Sequence, residues 1–350
     1  MRSFRNFFGQ SVKGPEPAVD GPSLHNLLNG YRSTALLYVA AKLKIADLLA
    51  DGPRGSDQLS ELLQANPSSL HRVLRGLVVL GLCSETDDGF FQLTELGMKL
   101  KSDTNGPEYS LAILNGEEYA ATWNNLLHSV MAGGTAFEHV FGESPWQHRQ
   151  NNPELNERFN RWLEDGAAST GRAILSVYDF AAHQIVADIG GGQGALLTVI
   201  LQNHLSLQGM LIDQPHVISA ARSRLESAGV GNRCRLVAGN FFDAIPSGAD
   251  VYILKSVLHD WNDEQCLLIL RNCQVALKSG QSLLVVERIL PDRALDQPST
   301  IMSDLQMLAV TGGRERTVDE FKKLFAGSGF ELKRTTPLAT GHHLLEASRI

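Results

Sequence analysis

Four glycines occupy five consecutive positions at residues 190–194, within the segment VADIGGGQGALL of residues 186–197. Apolar runs precede and follow this turn, which predicts a strand that passes through a tight turn into a helix. Residues 190, 192 and 195 read G-x-G-x-x-A, the loose pattern of a dinucleotide-binding turn. Glycines let a small molecule approach the backbone, so the turn predicts a nucleotide-type cofactor, either a dinucleotide or S-adenosylmethionine (SAM).

Asp188, two residues before the first glycine, helps to separate these two cofactors. A dinucleotide would place its pyrophosphate at the helix N-terminus, where backbone N–H groups favour anions, and the Asp188 carboxylate would repel it. SAM carries an ammonium and a sulfonium instead, so an acidic strand end favours SAM. Asp213 ends the next predicted strand and is positioned for ribose hydroxyls. A dinucleotide enzyme also needs an acid there, and Asp213 could equally cap the helix that begins at Pro215.

One imidazole and two carboxylates could together form a general base. His259 lies in VLHDW just past the fourth predicted strand, Glu287 ends the fifth strand, and Glu315 lies in the GGRERT loop. These positions are expected at the same sheet edge as the glycine turn. There His259 could remove the proton of an aromatic hydroxyl while a methyl group arrives, and a carboxylate on its other ring nitrogen would stabilise the imidazolium. The ordinary alternatives are ion pairs with neighbouring arginines or simple solvation of the two carboxylates.

A metal-dependent methyl transfer, as with catechols, is a rival mechanism. It would need several oxygen ligands clustered near the acceptor. Asp260 and Asp263 are available, but Asp263 follows Trp261 and Asn262 in the pattern of a helix cap. The sequence therefore favours a site without a metal.

Short apolar strands and helices alternate in the second half of the chain. The predicted strands are IVADIG, GMLID, CRLVAG, VYILKSV and SLLVVERIL, and the predicted helices cover residues 193–204, 215–228, 263–278 and 317–327. This alternation predicts an α/β fold with a Rossmann-like, doubly wound parallel sheet. Near the C-terminus, ELKRTTPL and HHLLEASR are joined through Gly341, which predicts an antiparallel hairpin at the sheet edge.

The first third of the chain has the element order of a winged helix. Helices are predicted over residues 24–49 and 56–63, Pro67 opens another helix, and CSETDDGFFQLT at residues 83–94 is predicted as a hairpin. A DNA-binding module would need a basic recognition helix and wing. The helix carries two arginines and the wing carries carboxylates at residues 85, 87 and 88. We therefore expect this module to pair two subunits or to wall a substrate pocket.

The overall composition is that of an ordinary globular protein. The 350 residues are 43% hydrophobic with a net charge of −7, so no nucleic-acid partner is expected. No apolar run is long enough to cross a bilayer, and the N-terminus lacks the pattern of a signal peptide, so no membrane is expected. Phe4, Phe7 and Phe8 are expected on a flexible arm that packs on a partner. The four cysteines form no C-x-x-C pair and are expected to be reduced thiols in the cytoplasm.

Seven short segments carry a resemblance to a known family. In chain order they are DIGGGQG, IDQPHV, AGNFF, LKSVLHDW, VVERILP, DLQML and GGRERTVDEF. They resemble the SAM-dependent O-methyltransferase family of plant caffeate-type, hydroxyindole and bacterial natural-product enzymes. RFNRWLEDGAAST and GGTAFEHVFG resemble the bacterial members. The resemblance implies a homodimer with interlocked N-terminal helices, SAM as cofactor, S-adenosylhomocysteine as product, and a small aromatic hydroxylated substrate.

The resemblance also assigns residues to the cofactor. From the methionine part to the adenine, these residues are Gly190, Gly192, Asp213, Asn240, Phe241 and Lys255. Asp213 would hold the ribose hydroxyls, and Asn240 and Phe241 would flank the adenine. Many members have aspartate where this chain has Asn240, but an asparagine can still accept from an adenine amino group.

On the acceptor side, the resemblance implies that His259 is the general base and that the two carboxylates named above flank it. Trp146 and Met307 would line the acceptor pocket, and Asp260 would bond the acceptor. Some relatives of this scaffold have lost methyl transfer and perform hydroxylation or decarboxylation with SAM bound. Such reactions, and a nitrogen acceptor in place of oxygen, are alternatives.

The sequence predicts three segments. Residues 1–105 form a helical, winged dimerisation domain, residues 106–180 form a helical connector that contributes to the substrate pocket, and residues 181–350 form the SAM-binding catalytic domain. A long helix is predicted from Pro153 to about Tyr178. The predicted function is metal-independent methylation of a hydroxyl on a small phenolic, polyketide or phenazine-like natural product. A SAM-sensing DNA-binding regulator and an NAD-linked oxidoreductase are the alternatives from other classes.

Overall fold

The computed structural model describes residues 23–103 and 106–350, so the phenylalanines of the predicted N-terminal arm lie outside the described residues. The N-terminal elements are α1 (Leu24–Lys42), α2 (Ile45–Leu49), β1 (Arg54–Gly55), α3 (Ser56–Leu63), α4 (Pro67–Val79), β2 (Cys83–Glu85) and β3 (Phe90–Leu93). The strands pair in the order β1-β3-β2 as an antiparallel wing. The stretch predicted to be helical over residues 24–49 forms two helices, because Lys44 adopts a left-handed φ of 51° and separates α1 from α2.

Short helices fill the connection between the wing and the large sheet. They are α5 (Glu95–Met98), α6 (Glu108–Leu114), a π-helical turn (Asn115–Tyr119), α7 (Ala120–Asn124), α8 (Leu126–Ala132), α9 (Ala136–Phe141), α10 (Pro145–Asn151) and α11 (Pro153–Leu175). The long helix α11 begins at Pro153 as predicted and ends three residues before the predicted end. It packs against α6 on one side and against the first helix after the glycine turn on the other. This helix therefore joins the N-terminal elements to the sheet.

The large sheet has seven strands in the order β6-β5-β4-β7-β8-β10-β9. They are β4 (Ile185–Ile189), β5 (Gln208–Asp213), β6 (Cys234–Ala238), β7 (Val251–Lys255), β8 (Ser282–Glu287), β9 (Phe330–Pro337) and β10 (His343–Arg349). The first five are parallel, while β10 runs antiparallel to both β8 and β9. The predicted doubly wound sheet and its C-terminal antiparallel hairpin are confirmed.

Helices cover both faces of this sheet, which is why its strands are apolar on both sides. The helices are α12 (Ala195–Asn203), α13 (Pro215–Ser227), α14 (Asp263–Ala276), α15 (Pro298–Val310) and α16 (Val318–Gly327). One core lies under α11, α12 and α13, and the other lies under α14 and α16. The sequence did not predict α15, whose N-terminus has no side-chain cap hydrogen bond to signal it. Among the described residues, no helix combines the length and the apolar character needed to span a membrane.

The strand order places a crevice between β4 and β7. The chain proceeds from β4 to β5 and β6 on one side, and then crosses back to place β7 and β8 on the other side. Ligands of open α/β sheets bind at the carboxyl ends of the strands where the order reverses in this way. The glycine turn follows β4 and the His259 loop follows β7, so both border this crevice.

Candidate active site

The glycine turn after β4 closes tightly over Asp188. Gly190, Gly192 and Gly194 have φ values of 67°, 59° and 82°, which favour glycine. A Cβ atom on Gly191 would lie 2.5 Å from Asp188 Cγ. The backbone therefore passes directly over the Asp188 carboxyl group, and no larger residue fits at position 191.

Asp188 lacks the partner that a buried carboxylate needs. The residue is 1% exposed, and its Oδ2 atom has no hydrogen-bond donor among the described residues. Burial raises the pKa of Asp188 to about 7, the charge of Asp213 adds to this effect, and Lys255 opposes it. An ammonium or sulfonium group of a ligand at the turn would stabilise the ionised Asp188 carboxylate, whereas the negative charge of a phosphate would be repelled by it.

Asp213 lies beside the glycine turn, as the sequence predicts. Its Oδ2 atom accepts a hydrogen bond of 2.8 Å from the backbone N–H of Gly192. Its Oδ1 atom accepts from the N–H of Gln214 at 2.7 Å. Gln214, without a side-chain cap hydrogen bond, is the N-cap residue of α13. The helix-cap alternative for Asp213 is therefore wrong, and its carboxylate is fixed against the cofactor turn.

The remaining predicted cofactor residues surround the same turn. Phe241 lies against Gly190, since a Cβ atom on that glycine would be 3.7 Å from Phe241 Cε1. Asn240 Oδ1 accepts from the N–H of Phe242 at 3.0 Å, so its oxygen holds its own loop. Burial lowers the pKa of Lys255, and the charges of Glu287 and Asp188 counteract this effect. Lys255 therefore lies within electrostatic range of both the turn and the acidic group around His259.

His259 is surrounded by carboxylates. It lies in a 3₁₀ turn, Leu258–Asp260, directly after β7. Its Nδ1 atom is 3.1 Å from Glu315 Oε1 and 3.7 Å from Glu287 Oε2, and its Nε2 atom is 3.8 Å from Asp260 Oδ1. The structure thus brings together all three residues of the predicted general base, with Asp260 on the other edge of the ring.

The two glutamates are held rigidly by other groups. Glu287 is fully buried, and its Oε1 accepts from the N–H groups of Val257 and Leu258 at 2.9 and 2.8 Å. Glu315 Oε1 also accepts from the hydroxyl of Ser303 at 2.7 Å. Neither glutamate forms a salt bridge with an arginine among the described residues, so the ion-pair alternative is wrong. The second oxygen of each glutamate has no donor there, which leaves negative charge directed at the imidazole.

These charges decide the protonation of His259. Burial is the largest single influence and lowers the pKa of the imidazole. The combined effect of Glu287, Asp260 and Glu315 outweighs burial and raises the pKa to about 10. In the same group, burial raises the pKa of Glu287 to about 7 and that of Asp260 to about 6. The resting site therefore favours an imidazolium that is stabilised by its carboxylates, rather than the free imidazole assumed from the sequence.

Arg316, in the loop after α15, holds the His259 turn through hydrogen bonds. Arg316 is fully buried and donates to the carbonyl oxygens of Leu258 and Trp261 at 2.9 and 2.7 Å. Its guanidinium also binds Asp263. The helix-cap prediction for Asp263 is wrong, because Asn262 caps α14. Sequence reasoning treated Arg316 as a solvating neighbour of Glu315 and missed this role.

Aromatic side chains lie next to the His259 turn on the acceptor side. The rings of Trp146 and Trp261 stack with their centroids 6.0 Å apart. Met307 lies on α15, where its sulfur is 3.6 Å from the hydroxyl of Thr311. The sequence missed Ser303 on the same helix, because α15 itself was not predicted.

The His259 group also has the spacing of a metal site. Ligand atoms of His259, Glu287 and Glu315 lie within 4.8 Å of one another. His259 Nδ1 is bound to Glu315 Oε1 and Glu287 Oε1 accepts from two backbone N–H groups, while the second oxygen of each glutamate has no donor among the described residues. An ion bound there would compete with the hydrogen bond between His259 and Glu315.

Comparison with known proteins places the chain in a family. A family model described as O-methyltransferase domain matches residues 123–331, and one described as O-methyltransferase dimerisation domain matches residues 25–103. The phenazine O-methyltransferase PhzM of Lysobacter antibioticus is 43% identical over 93% of this chain and 96% of its own length. The phenazine-1-carboxylate N-methyltransferase of Pseudomonas aeruginosa is 27% identical over 93% and 97%.

A solved structure extends the similarity to the cofactor. The O-methyltransferase NcsB1 from neocarzinostatin biosynthesis, in complex with SAM and 2-hydroxy-5-methyl naphthoic acid, superimposes with a TM-score of 0.81. It is 32% identical and covers 91% of this chain and 96% of its own. The NAD-linked and regulatory alternatives are not supported by any of these similarities. The chain belongs to the SAM-dependent O-methyltransferase family.

Proposed function

We propose that the enzyme transfers the methyl group of SAM to a hydroxyl of a small aromatic natural product, with His259 as the general base. The observation that carries this proposal is the hydrogen bond between His259 Nδ1 and Glu315 Oε1. It orients the ring and leaves Nε2 for the acceptor, at the carboxyl end of β7 beside the glycine turn. The relatives that methylate phenazine and other aromatic compounds support the class of acceptor.

The raised pKa of His259 suits an aromatic hydroxyl. Such a hydroxyl has a pKa near ~10, so proton transfer to a free imidazole of pKa about 6.5 would be uphill by roughly 5 kcal/mol. With the imidazole pKa at about 10, the transfer is nearly balanced. In the fraction of the enzyme whose imidazole is unprotonated, the acceptor's proton moves to Nε2, the acceptor oxygen attacks the methyl carbon, and the carbon–sulfur bond breaks to release S-adenosylhomocysteine. Glu287, Glu315 and Asp260 stabilise the imidazolium that results.

Alignment of the three reacting atoms is the other task of the site. Holding oxygen, methyl carbon and sulfur in line can account for roughly 7–11 kcal/mol of the barrier. On the cofactor side, we propose that Asp188, Gly190 and Gly192 surround the ammonium or sulfonium group of SAM. We propose that Asp213 binds the ribose hydroxyls. Asn240, Phe241 and Lys255 complete the cofactor site around the adenine.

On the acceptor side, we assign the pocket walls to Trp146 and Met307 and a hydrogen bond to Asp260. We propose that no metal takes part, since proton transfer to His259 requires no Lewis acid. A nitrogen acceptor is the alternative, because the same base would serve it and one relative is an N-methyltransferase.

We further propose that the enzyme acts as a homodimer. The first half of α1 exposes apolar side chains, with Leu24, Leu28 and Tyr31 at 71%, 67% and 66% exposed. A face of this kind is typical of a subunit interface. The segment boundaries at residues 105 and 180, and residence in the cytoplasm, stay predictions from the sequence.

The base assignment is tested with His259→Gln. We expect unchanged SAM affinity by calorimetry and a loss of turnover of about 10²–10⁴-fold with an aromatic acceptor identified by a mass-spectrometric screen for one added methyl group. His204→Gln, at the opposite edge of the sheet, is the matched control and should keep full turnover. Full activity of His259→Gln would exclude the base role. Loss of activity of the wild-type enzyme with a chelator would contradict the proposal that no metal takes part.

A further inference from the structure

Glu118, Tyr119 and Arg149 form a buried polar group that the proposed reaction does not use. Arg149 donates from Nη2 to Glu118 Oε2 at 2.7 Å, from Nε to Glu118 Oε1 at 3.3 Å, and from Nη2 to Tyr119 Oη at 3.3 Å. All three side chains are buried, and Glu118 is fully enclosed. A buried ion pair often adds little net stability because both charges lose water. We call these three residues the Arg149 cluster.

Two donor groups of the Arg149 cluster have no acceptor among the described residues. Nη1 of Arg149 makes none of the hydrogen bonds above, and it is absent from the fully enclosed polar atoms without a partner. It therefore keeps some accessible surface, although the Phe159 ring covers the guanidinium at 3.7 Å. Tyr119 Oη accepts from Arg149, but its own proton has no acceptor among these residues. Burial raises the pKa of Tyr119 to about 12, so the hydroxyl keeps this proton.

The Arg149 cluster lies across from the His259 turn. The guanidinium carbon of Arg149 is 5.9 Å from the Trp146 ring centroid, and Trp146 in turn stacks on Trp261, the neighbour of Asp260. Arg149 and Asp260 influence each other electrostatically, yet no ion pair joins them in the described part of the chain. Arg149 and Asp260 therefore lie near each other without a direct contact, next to the proposed wall of the acceptor pocket.

We propose that Arg149 and Tyr119 bind a second polar atom of the acceptor, on the side of the aromatic system away from the hydroxyl that is methylated. This inference rests on the proposed function. The atom is an uncharged hydrogen-bond acceptor, such as a ketone or quinone oxygen or an aromatic ring nitrogen. Glu118 already balances the charge of Arg149, and Asp260 lies within electrostatic range of it, so an aromatic carboxylate would meet two negative charges. Methyl transfer itself still depends on His259.

Binding of three related phenols tests this proposal. The probes are 5-hydroxy-1-tetralone, which has a ketone across the bicycle from its hydroxyl, 5,6,7,8-tetrahydro-1-naphthol, which lacks the ketone, and 5-hydroxy-1-naphthoic acid, which has a carboxylate in its place. Each is titrated by calorimetry into enzyme saturated with S-adenosylhomocysteine. One hydrogen bond from a charged donor predicts an affinity for the ketone about tenfold above that for the other two probes. Equal affinities, or tightest binding of the naphthoic acid, would overturn the proposal.

Two variants separate recognition from folding. Tyr119→Phe keeps the ring and removes one donor. The double variant Glu118→Leu with Arg149→Met replaces the ion pair by apolar side chains of similar size, an exchange that buried pairs often tolerate. We expect the preference for the ketone to fall in Tyr119→Phe and to disappear in the double variant, with unchanged affinity for 5,6,7,8-tetrahydro-1-naphthol. Persistence of the full preference in the double variant would refute the assignment.

A half-buried cation on the following helix, α11, is the matched control. Arg158→Met removes a guanidinium that lies 5.2 Å from the Tyr109 ring centroid, and it should leave all three affinities unchanged. The proposed function and this inference fail in different ways. Failure of SAM to bind, or of any aromatic compound to gain a methyl group, counts against the proposed function. Loss of discrimination between the three probes, with methyl transfer intact, counts against the Arg149 cluster alone.

Discussion

Replacing Asp188 with asparagine is expected to stabilise the cofactor-free enzyme at high pH while weakening SAM binding. The Asp188 carboxyl is buried under the glycine turn without a donor for Oδ2, and its pKa is raised from 3.8 to about 7. Because the pKa is raised in the folded state, the folded enzyme retains a proton that the unfolded chain releases. The contribution of this group to stability is therefore fully present below pH 3.8 and is lost as the pH rises through about 7.

The magnitude of the stability effect follows from the pKa of Asp188, which lies about three above its value of 3.8 in the unfolded chain. At 1.36 kcal/mol per unit, the ionised carboxyl costs the folded enzyme roughly 4 kcal/mol above pH 7. Asparagine avoids this cost but leaves a buried amide group unpaired, which costs ~1–3 kcal/mol at every pH. The cost of the unpaired amide does not depend on pH. The change with pH in the stability difference between the variant and the wild type therefore reports only the ionisation of the Asp188 carboxyl. Between pH 5 and pH 8, the stability of the variant relative to the wild type should rise by roughly 2–3 kcal/mol.

Urea unfolding at pH 5 and pH 8, without cofactor, measures this difference. Asp250→Asn is the matched control, because Asp250 lies at the start of the neighbouring strand and its carboxylate already accepts from two backbone N–H groups. That variant should show no gain at pH 8. Calorimetry should also show that SAM binding to the wild type at pH 7 releases protons, because an arriving cation lowers the pKa of Asp188. Identical pH dependence of wild type and Asp188→Asn, together with equal SAM affinity, would refute the reasoning.

Two further changes test other contacts of the site. Asp213→Ala should weaken SAM binding by about tenfold or more, since one charged hydrogen-bond acceptor for the ribose is lost. The exposed control Asp292→Ala should bind SAM like the wild type. If calorimetry finds the same SAM affinity for Asp213→Ala as for the wild type and the control, the ribose assignment is contradicted. Arg316→Met should lower the free energy of unfolding by roughly 2–4 kcal/mol, because the carbonyls of Leu258 and Trp261 lose their buried donor, and it should reduce kcat more than it changes SAM affinity. Arg314→Met removes an exposed partner of the same Asp263. It should change the free energy of unfolding by no more than about 1 kcal/mol and leave kcat unchanged. An equal loss of kcat in both variants would exclude a specific positioning role for Arg316.

Local patterns were sufficient for most of the sheet and for the cofactor turn. Five apolar runs with intervening helices predicted β4 to β8, and the glycines at 190–194 predicted the turn, because strand, turn and helix signals act within a few residues. The C-terminal hairpin followed from a short connection through Gly341. The helix predicted over residues 317–327 is α16, and the capping box of Thr317 and Glu320 at its start forms both of its hydrogen bonds.

Tertiary structure decided where local signals were weak or absent. A left-handed Lys44 split the first helix, since nothing in the surrounding apolar pattern opposed a continuous one. Helix α15 has no capping side chain, so Ser303 and its hydrogen bond to Glu315 were not predicted. The pairing of Glu118 with Arg149 joins residues 31 positions apart, and no local spacing signals such a contact.

The sequence by itself determined which groups are available at the crevice: an acidic strand end, a glycine turn, an imidazole and two carboxylates at strand ends. Only the tertiary structure decided their charge states. Burial of Asp188 without a donor and the three carboxylates around His259 set the pKa values of the site, and those values depend on distances between residues far apart in the chain. Electrostatic energies vary with separation and burial, and neither quantity is encoded in residue type or local spacing.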